Sequence, residues 1–112
     1  MKEIRVYIQS FMLQKVTDAL HQIHVQGTRV SEIKGFERER DDAHLHHSKG
    51  GVVDFVPKTR IEIICNDEEV GTIIRTIQNA ASTGRKDDGE IIVLDRRGAI
   101  SISTEDGGAE IV

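Results

Sequence analysis

Ile4, Val6 and Ile8 alternate with Arg5, Tyr7 and Gln9, a period of two that predicts a strand over 2–9 with one buried face. From Ser10 the period changes. Leu13, Val16, Ala19, Leu20 and Ile23 recur at helical spacing, with Ser10 placed to cap the helix and Gly27 placed to stop it. Residues 28–36 (TRVSEIKGF) read as a second strand on Val30, Ile33 and Phe36. Pro57 suits the start of a strand but not the inside of a central one, so a third strand is expected over 58–65, carried by Ile61, Ile63 and Ile64. Asp67 then reads as the cap of a second helix, with Glu68 and Glu69 at the positive end of its dipole. Val70, Ile73, Ile74, Ile77 and Ala80 form its apolar stripe. The turn TGRKDDG leads to a fourth strand, EIIVLD at 90–95, and AISIS reads as a short strand before an acidic, frayed tail at about 104–112.

The order β-α-β, loop, β-α-β predicts an α+β fold, the ferredoxin-like βαββαβ sandwich, as a single domain over 1–112. Two helices can cover only one face of such a sheet. The other face is expected to be aliphatic and to invite symmetric association. Between the second and third strands lies ERERDDAHLHHSKGGVVDF, residues 37–55. A hairpin needs roughly two to five residues, and a longer structureless connection inside a compact domain is usually functional or disordered. The segment therefore reads as a messenger.

Composition narrows the classes. Hydrophobic residues make up 38% and charged residues 30%, with three Phe, one Tyr and no Trp, so the core has to be aliphatic. The formal net charge is −4, without a basic stripe, which argues against nucleic-acid binding, where phosphates demand clustered Lys and Arg. A lone Cys65 in the run IEIIC allows no internal disulfide and suits a reducing compartment. No cationic-then-apolar leader and no membrane-length apolar run is present. The expectation is a soluble, cytoplasmic protein without direct membrane insertion. An enzyme is not expected: an acylphosphatase-like phosphate cradle needs glycine and arginine after the first strand, and residues 9–13 (QSFML) offer neither.

His44, His46 and His47, flanked by Asp41 and Asp42, combine imidazole and carboxylate, the donor set for Zn²⁺, Cu²⁺ or Ni²⁺. Against that stands a solvated loop whose histidines supply polarity or touch a partner. Both readings stay open.

VQGTRVSEIKGF at 25–36, VVDFVPKTRIEI at 52–63 and TGRKDDGEIIV at 83–93 resemble one family, the nitrogen-regulatory PII signal-transduction proteins. The resemblance runs the whole length. It implies a homotrimer of ferredoxin-like subunits, adenine nucleotide in the cleft between subunits, and a T-loop (about 37–55) that engages a membrane transporter or enzyme. On the adenine and ribose side it implies roles for Tyr7, Gly35, Phe36, Glu62 and Ile64. Arg38, Gly84, Asp88 and Gly89 fall on the phosphate side, and Lys58 and position 39 on the effector side.

The chain departs from the family pattern at several of these places. Arg29 stands where a threonine is usual. Asp87 replaces a glycine, Glu90 a lysine, and Ser101 and Ser103 a pair of arginines, all on the phosphate side. Arg29, Lys86, Arg96 and Arg97 are the cations that could return some of that charge. Each charge-assisted phosphate bond lost costs roughly 1.5–3 kcal/mol, so ADP, AMP or cyclic AMP is favoured over ATP as effector. Glu39 in place of glutamine sets an anion against 2-oxoglutarate. Gly51 removes the tyrosine that the nitrogen-sensing members modify.

Overall fold

The computed structural model describes residues 1–36, 55–103 and 107–108. Four antiparallel strands form the sheet: β1 (Lys2–Gln9), β2 (Arg29–Phe36), β3 (Phe55–Cys65) and β4 (Gly89–Asp95), in the order β2-β3-β1-β4. Helices α1 (Leu13–Gln22) and α2 (Val70–Ala81) pack against each other and cover one face. This is the ferredoxin-like arrangement that the element order predicts. A two-residue pair, β5 (Ala99–Ile100) with β6 (Gly107–Gly108), follows it.

Period-2 patterning places Ile4, Val6 and Ile8 of β1 beside Ile61, Ile63 and Cys65 of β3 on the covered face. Val16 and Leu20 of α1, with Ile73, Ile77, Ala80 and Ala81 of α2, close over them. Each fully buried Ile or Leu contributes roughly 1.5–3 kcal/mol of transfer free energy. Thr59 sits in this core at 0% exposure and satisfies its hydroxyl by donating to Ser10 Oγ at 2.9 Å.

Several boundaries differ from the sequence reading. Ser10 does not cap α1. It opens a 3-10 turn, Ser10–Met12, and its hydroxyl serves Thr59. The helix stops well before Gly27. His24 adopts φ 65°, its N–H donates to His21 O at 3.0 Å, and the Val25 N–H donates to Leu20 O at 3.1 Å. That is a Schellman ending with histidine in the position glycine usually holds. At the second helix the residue before Asp67 is the cap: Glu69 reaches back to accept the Asn66 N–H at 2.8 Å, as in a capping box. Asp67 instead pairs with the N-terminal amine at 3.2 Å.

β3 begins at Phe55, so Pro57 lies inside a central strand, which the sequence reading disallowed. The reason is stagger. The last partner of β1 on β3 is Lys58, opposite Gln9, while β2 continues through Lys34↔Pro57, Gly35↔Val56 and Phe36↔Phe55. At Pro57 β3 therefore has a neighbour on one side only. AISIS shortens likewise, with only Ala99–Ile100 in β5.

The uncovered face is not the aliphatic surface expected. Register sets four rows across it: Ile64–Glu3–Leu94, Arg29–Glu62–Arg5–Ile92, Ser31–Arg60–Tyr7–Glu90 and Ile33–Lys58–Gln9. Aliphatic and charged side chains share it. Among the described residues, no helix is long and apolar enough to cross a membrane.

Candidate functional site

The turn between α2 and β4 is built around one carboxylate. Asp88 accepts the Thr83 N–H at 2.7 Å, the Gly84 N–H at 3.1 Å and the Thr83 hydroxyl. The Thr83 hydroxyl foremost, then the backbone amides, hold the Asp88 carboxyl below the usual carboxylate range. Amides of this kind make a phosphate nest when they point at empty space. Here two of them point at the protein's own anion.

Gly84 (φ 84°) and Gly89 (φ 134°) permit the path of the turn. A Cβ on Gly89 would lie 2.0 Å from the Tyr7 carbonyl oxygen, so glycine is what lets β4 start hard against β1 opposite Ile8. Asp87 is tied to β1 as well, through Gln9 Nε2, which donates to its carbonyl at 3.0 Å and its carboxylate at 3.3 Å. Glu90 is exposed opposite Tyr7. Three carboxylates thus gather at this corner with two cations, Arg85 and Lys86, both exposed.

Two hollows border the corner. One, of about 330 Å³, lies on the helix side and is lined by Val6, Ile8, Ile74, Ile77, Gly89 and Ile91 among others. The other, of about 450 Å³, is lined by Gln9, Phe11, Thr83, Arg85, Asp87 and Asp88.

The strand residues singled out by sequence lie elsewhere. Tyr7, Glu62 and Ile64 project on the open face, Tyr7 in the row beside the Glu62 row and Ile64 on the far side of it. Lys58 is opposite Gln9 and so neighbours the residue that grips Asp87. Gly35 and Phe36 are in β2, opposite Val56 and Phe55. Asp88 and Gly89 border the helix-side hollow, which Tyr7, Glu62 and Ile64 do not line. One chain therefore spreads these residues over two faces without closing a pocket from them. Arg38, Glu39, His44, His46 and His47 lie outside the described residues.

Sequence reasoning missed the network on the open face. Glu3, 6% exposed, accepts Arg5 Nε at 2.8 Å and Arg96 Nε at 2.7 Å. Arg5 foremost, with Arg96, holds its carboxyl below the usual range against the upward push of burial. Arg96 is thereby committed at the far end of β4 and does not return charge to the phosphate side. The only cue was two arginines and a glutamate at positions that pair across strands, which needs the register to be seen.

The comparisons with known proteins agree with this geometry. The family model described as nitrogen regulatory protein P-II matches residues 1–106. The nitrogen regulatory protein P-II of Rhodospirillum rubrum is 42% identical over 112 residues, covering all of both chains. The P-II 1 protein of Escherichia coli K12 is 40% identical over 104 residues, 93% of each. Among solved structures, Arabidopsis thaliana PII bound to citrate superposes with a TM-score of 0.77 at 28% identity, covering 96% of this chain and 87% of that one. The chain belongs to the nitrogen regulatory P-II family of signal-transduction regulators.

Proposed function

We propose that this regulator assembles as a homotrimer and takes a small adenine nucleotide in the cleft between copies. It passes the state of that cleft to a membrane transporter or enzyme through residues 37–55. ADP, AMP or cyclic AMP is the effector rather than Mg-ATP with 2-oxoglutarate. Tyr7, Glu62 and Ile64 of one surface and Gly84, Asp88 and Gly89 of another are the described contacts, with Gly35, Phe36, Arg38 and Lys58 completing them. Their separation within one chain is what a second copy would bridge.

The observation that carries the nucleotide preference is the pair of carboxylates that depart from the family pattern at this turn, Asp87 held by Gln9 and Glu90 exposed opposite Tyr7. A triphosphate brings the most negative charge to that corner and meets the strongest repulsion there. A monophosphate, diphosphate or cyclic phosphate needs fewer cations. The test is calorimetry on the intact chain with Mg-ATP, ADP, AMP and cyclic AMP, alongside light scattering for the assembly. At least one of the three smaller nucleotides binds more tightly than Mg-ATP. Tight Mg-ATP binding sinks this reading of the phosphate side, and a monomer in solution sinks the cleft.

A further inference from the structure

Gln9, the last residue of β1, sits where three parts of the molecule meet. It is also the last residue of β1 to pair with β3, opposite Lys58. Beyond that point β3 continues with β2, through Lys34↔Pro57, Gly35↔Val56 and Phe36↔Phe55. In the other direction Gln9 Nε2 donates to the Asp87 carbonyl at 3.0 Å and to its carboxylate at 3.3 Å. One side-chain amide thus holds the main chain and the side chain of the same residue, 78 positions along the sequence. The next residue is tied to β3 as well. Ser10 Oγ accepts the Thr59 hydroxyl at 2.9 Å, and Thr59 is fully buried next to Lys58. The turn, for its part, is bound to itself. Asp88 accepts the Thr83 and Gly84 amides within it, and the Asp88 N–H donates to Arg85 O at 3.4 Å. Gly89, with φ 134°, abuts the Tyr7 carbonyl where β4 starts and forms a pivot there. A turn stapled internally and hinged at one end moves as a body.

We propose that Gln9 is a latch that couples the turn at 83–89 to the two-stranded end of the β2–β3 ladder. Displacement of Asp87 pulls on both Gln9 bonds. Through the Gln9–Lys58 pairing and the Ser10–Thr59 bond it then reaches β3. Coupling over such a span is carried by hydrogen-bonded and packed elements that have two discrete arrangements. Here the two arrangements are Gln9 donating to Asp87 and Gln9 released from it. The two-stranded end responds because β1 no longer supports it beyond Lys58. Gln9 is a positioning residue: it acts through Asp87 rather than on a ligand. The latch needs no nucleotide in order to act, so it stands apart from the effector preference proposed above.

The test is hydrogen–deuterium exchange of the intact chain without added ligand. Gln9→Leu removes both donors, and Gln9→Glu removes them while keeping the size of the side chain. Each raises exchange roughly threefold or more at 83–88 and also at 34–36 and 55–58, the size expected for one or two lost hydrogen bonds. The Val6 and Ile61 amides keep the parent rate, because both residues lie in the core. Asp88→Ala loosens the turn from within. With Gln9 in place that change reaches 34–36 and 55–58; in the Gln9→Leu background it stays in the turn. The latch is overturned if either Gln9 variant loosens the turn alone, or if Gln9→Glu exchanges at the parent rate, which makes side-chain size the tie. It is overturned equally if Asp88→Ala still loosens the two-stranded end in the Gln9→Leu background. Gln9 is only partly buried and Gln9→Glu preserves its shape, so that variant keeps the test sound even if Gln9→Leu does not fold.

Discussion

The two faces of the sheet are built from the same four strands, yet they obey different physics. On the covered face Ile4, Val6, Ile8, Ile61 and Ile63 are between 0% and 2% exposed and pack against two helices. On the open face, one residue along each strand, stand Arg5, Tyr7, Arg60 and Glu62. Apolar burial is non-directional and tolerates no gaps, so the first face stores stability. Hydrogen-bonded ion pairs are directional and can be rearranged, so the second face holds its partners by geometry. Glu3 blurs the division, because it belongs to the open face and is nevertheless buried.

The sharpest way to probe the contrast is to cut the covered face. Ile61→Ala, at 0% exposure, should cost roughly 2–5 kcal/mol in denaturant unfolding, because the surroundings only partly collapse into the space. A cost below about 1 kcal/mol would mean that the helices do not seal this face.

Next comes the residue that straddles the division. Glu3→Gln should cost about 2 kcal/mol at neutral pH, since two charge-assisted bonds from Arg5 and Arg96 are weakened together. Its pH dependence follows from the lowered pKa. The unfolded chain protonates Glu3 at a higher pH than the folded one does. The stabilisation is therefore complete above the ordinary value of 4.5 and lost as pH falls through the folded value below it. The gap between parent and variant should close in acid; a gap that stays constant down to pH 3 would assign the loss to packing.

The smallest effect is expected at Arg29. Arg29→Thr on the exposed edge should change stability by less than about 0.5 kcal/mol in the same unfolding assay. A large loss of stability would make Arg29 a structural partner of Glu62 and erase the contrast between the faces.

Local pattern was enough for most of the fold. The alternation in β1 and the helical stripe from Val70 to Ala80 each state which face turns inward, because both periods are written in adjacent residues. Ends were harder to read. His24 in a left-handed conformation replaces the glycine signal, and Asn66 rather than Asp67 takes the cap; both depend on hydrogen bonds made after the chain has turned. Pro57 misled because a strand counted as central is bordered on one side alone at that point. Of the candidate site, Tyr7, Glu62 and Asp88 were picked out as expected contacts, while their neighbours were not legible. That Glu62 faces Arg29, Arg5 and Arg60, or that Asp88 feeds on its own turn, follows from strand register and loop closure, which no short window of residues contains.

The stagger that accommodates Pro57 also has a mechanical side. Past Lys58 the sheet narrows to a two-stranded ribbon of Lys34↔Pro57, Gly35↔Val56 and Phe36↔Phe55, and narrow ribbons twist more readily than wide sheets. Torque applied where segment 37–54 joins the body must pass down this stem. It arrives first at Lys58 and Gln9, and Gln9 already has its hand on Asp87.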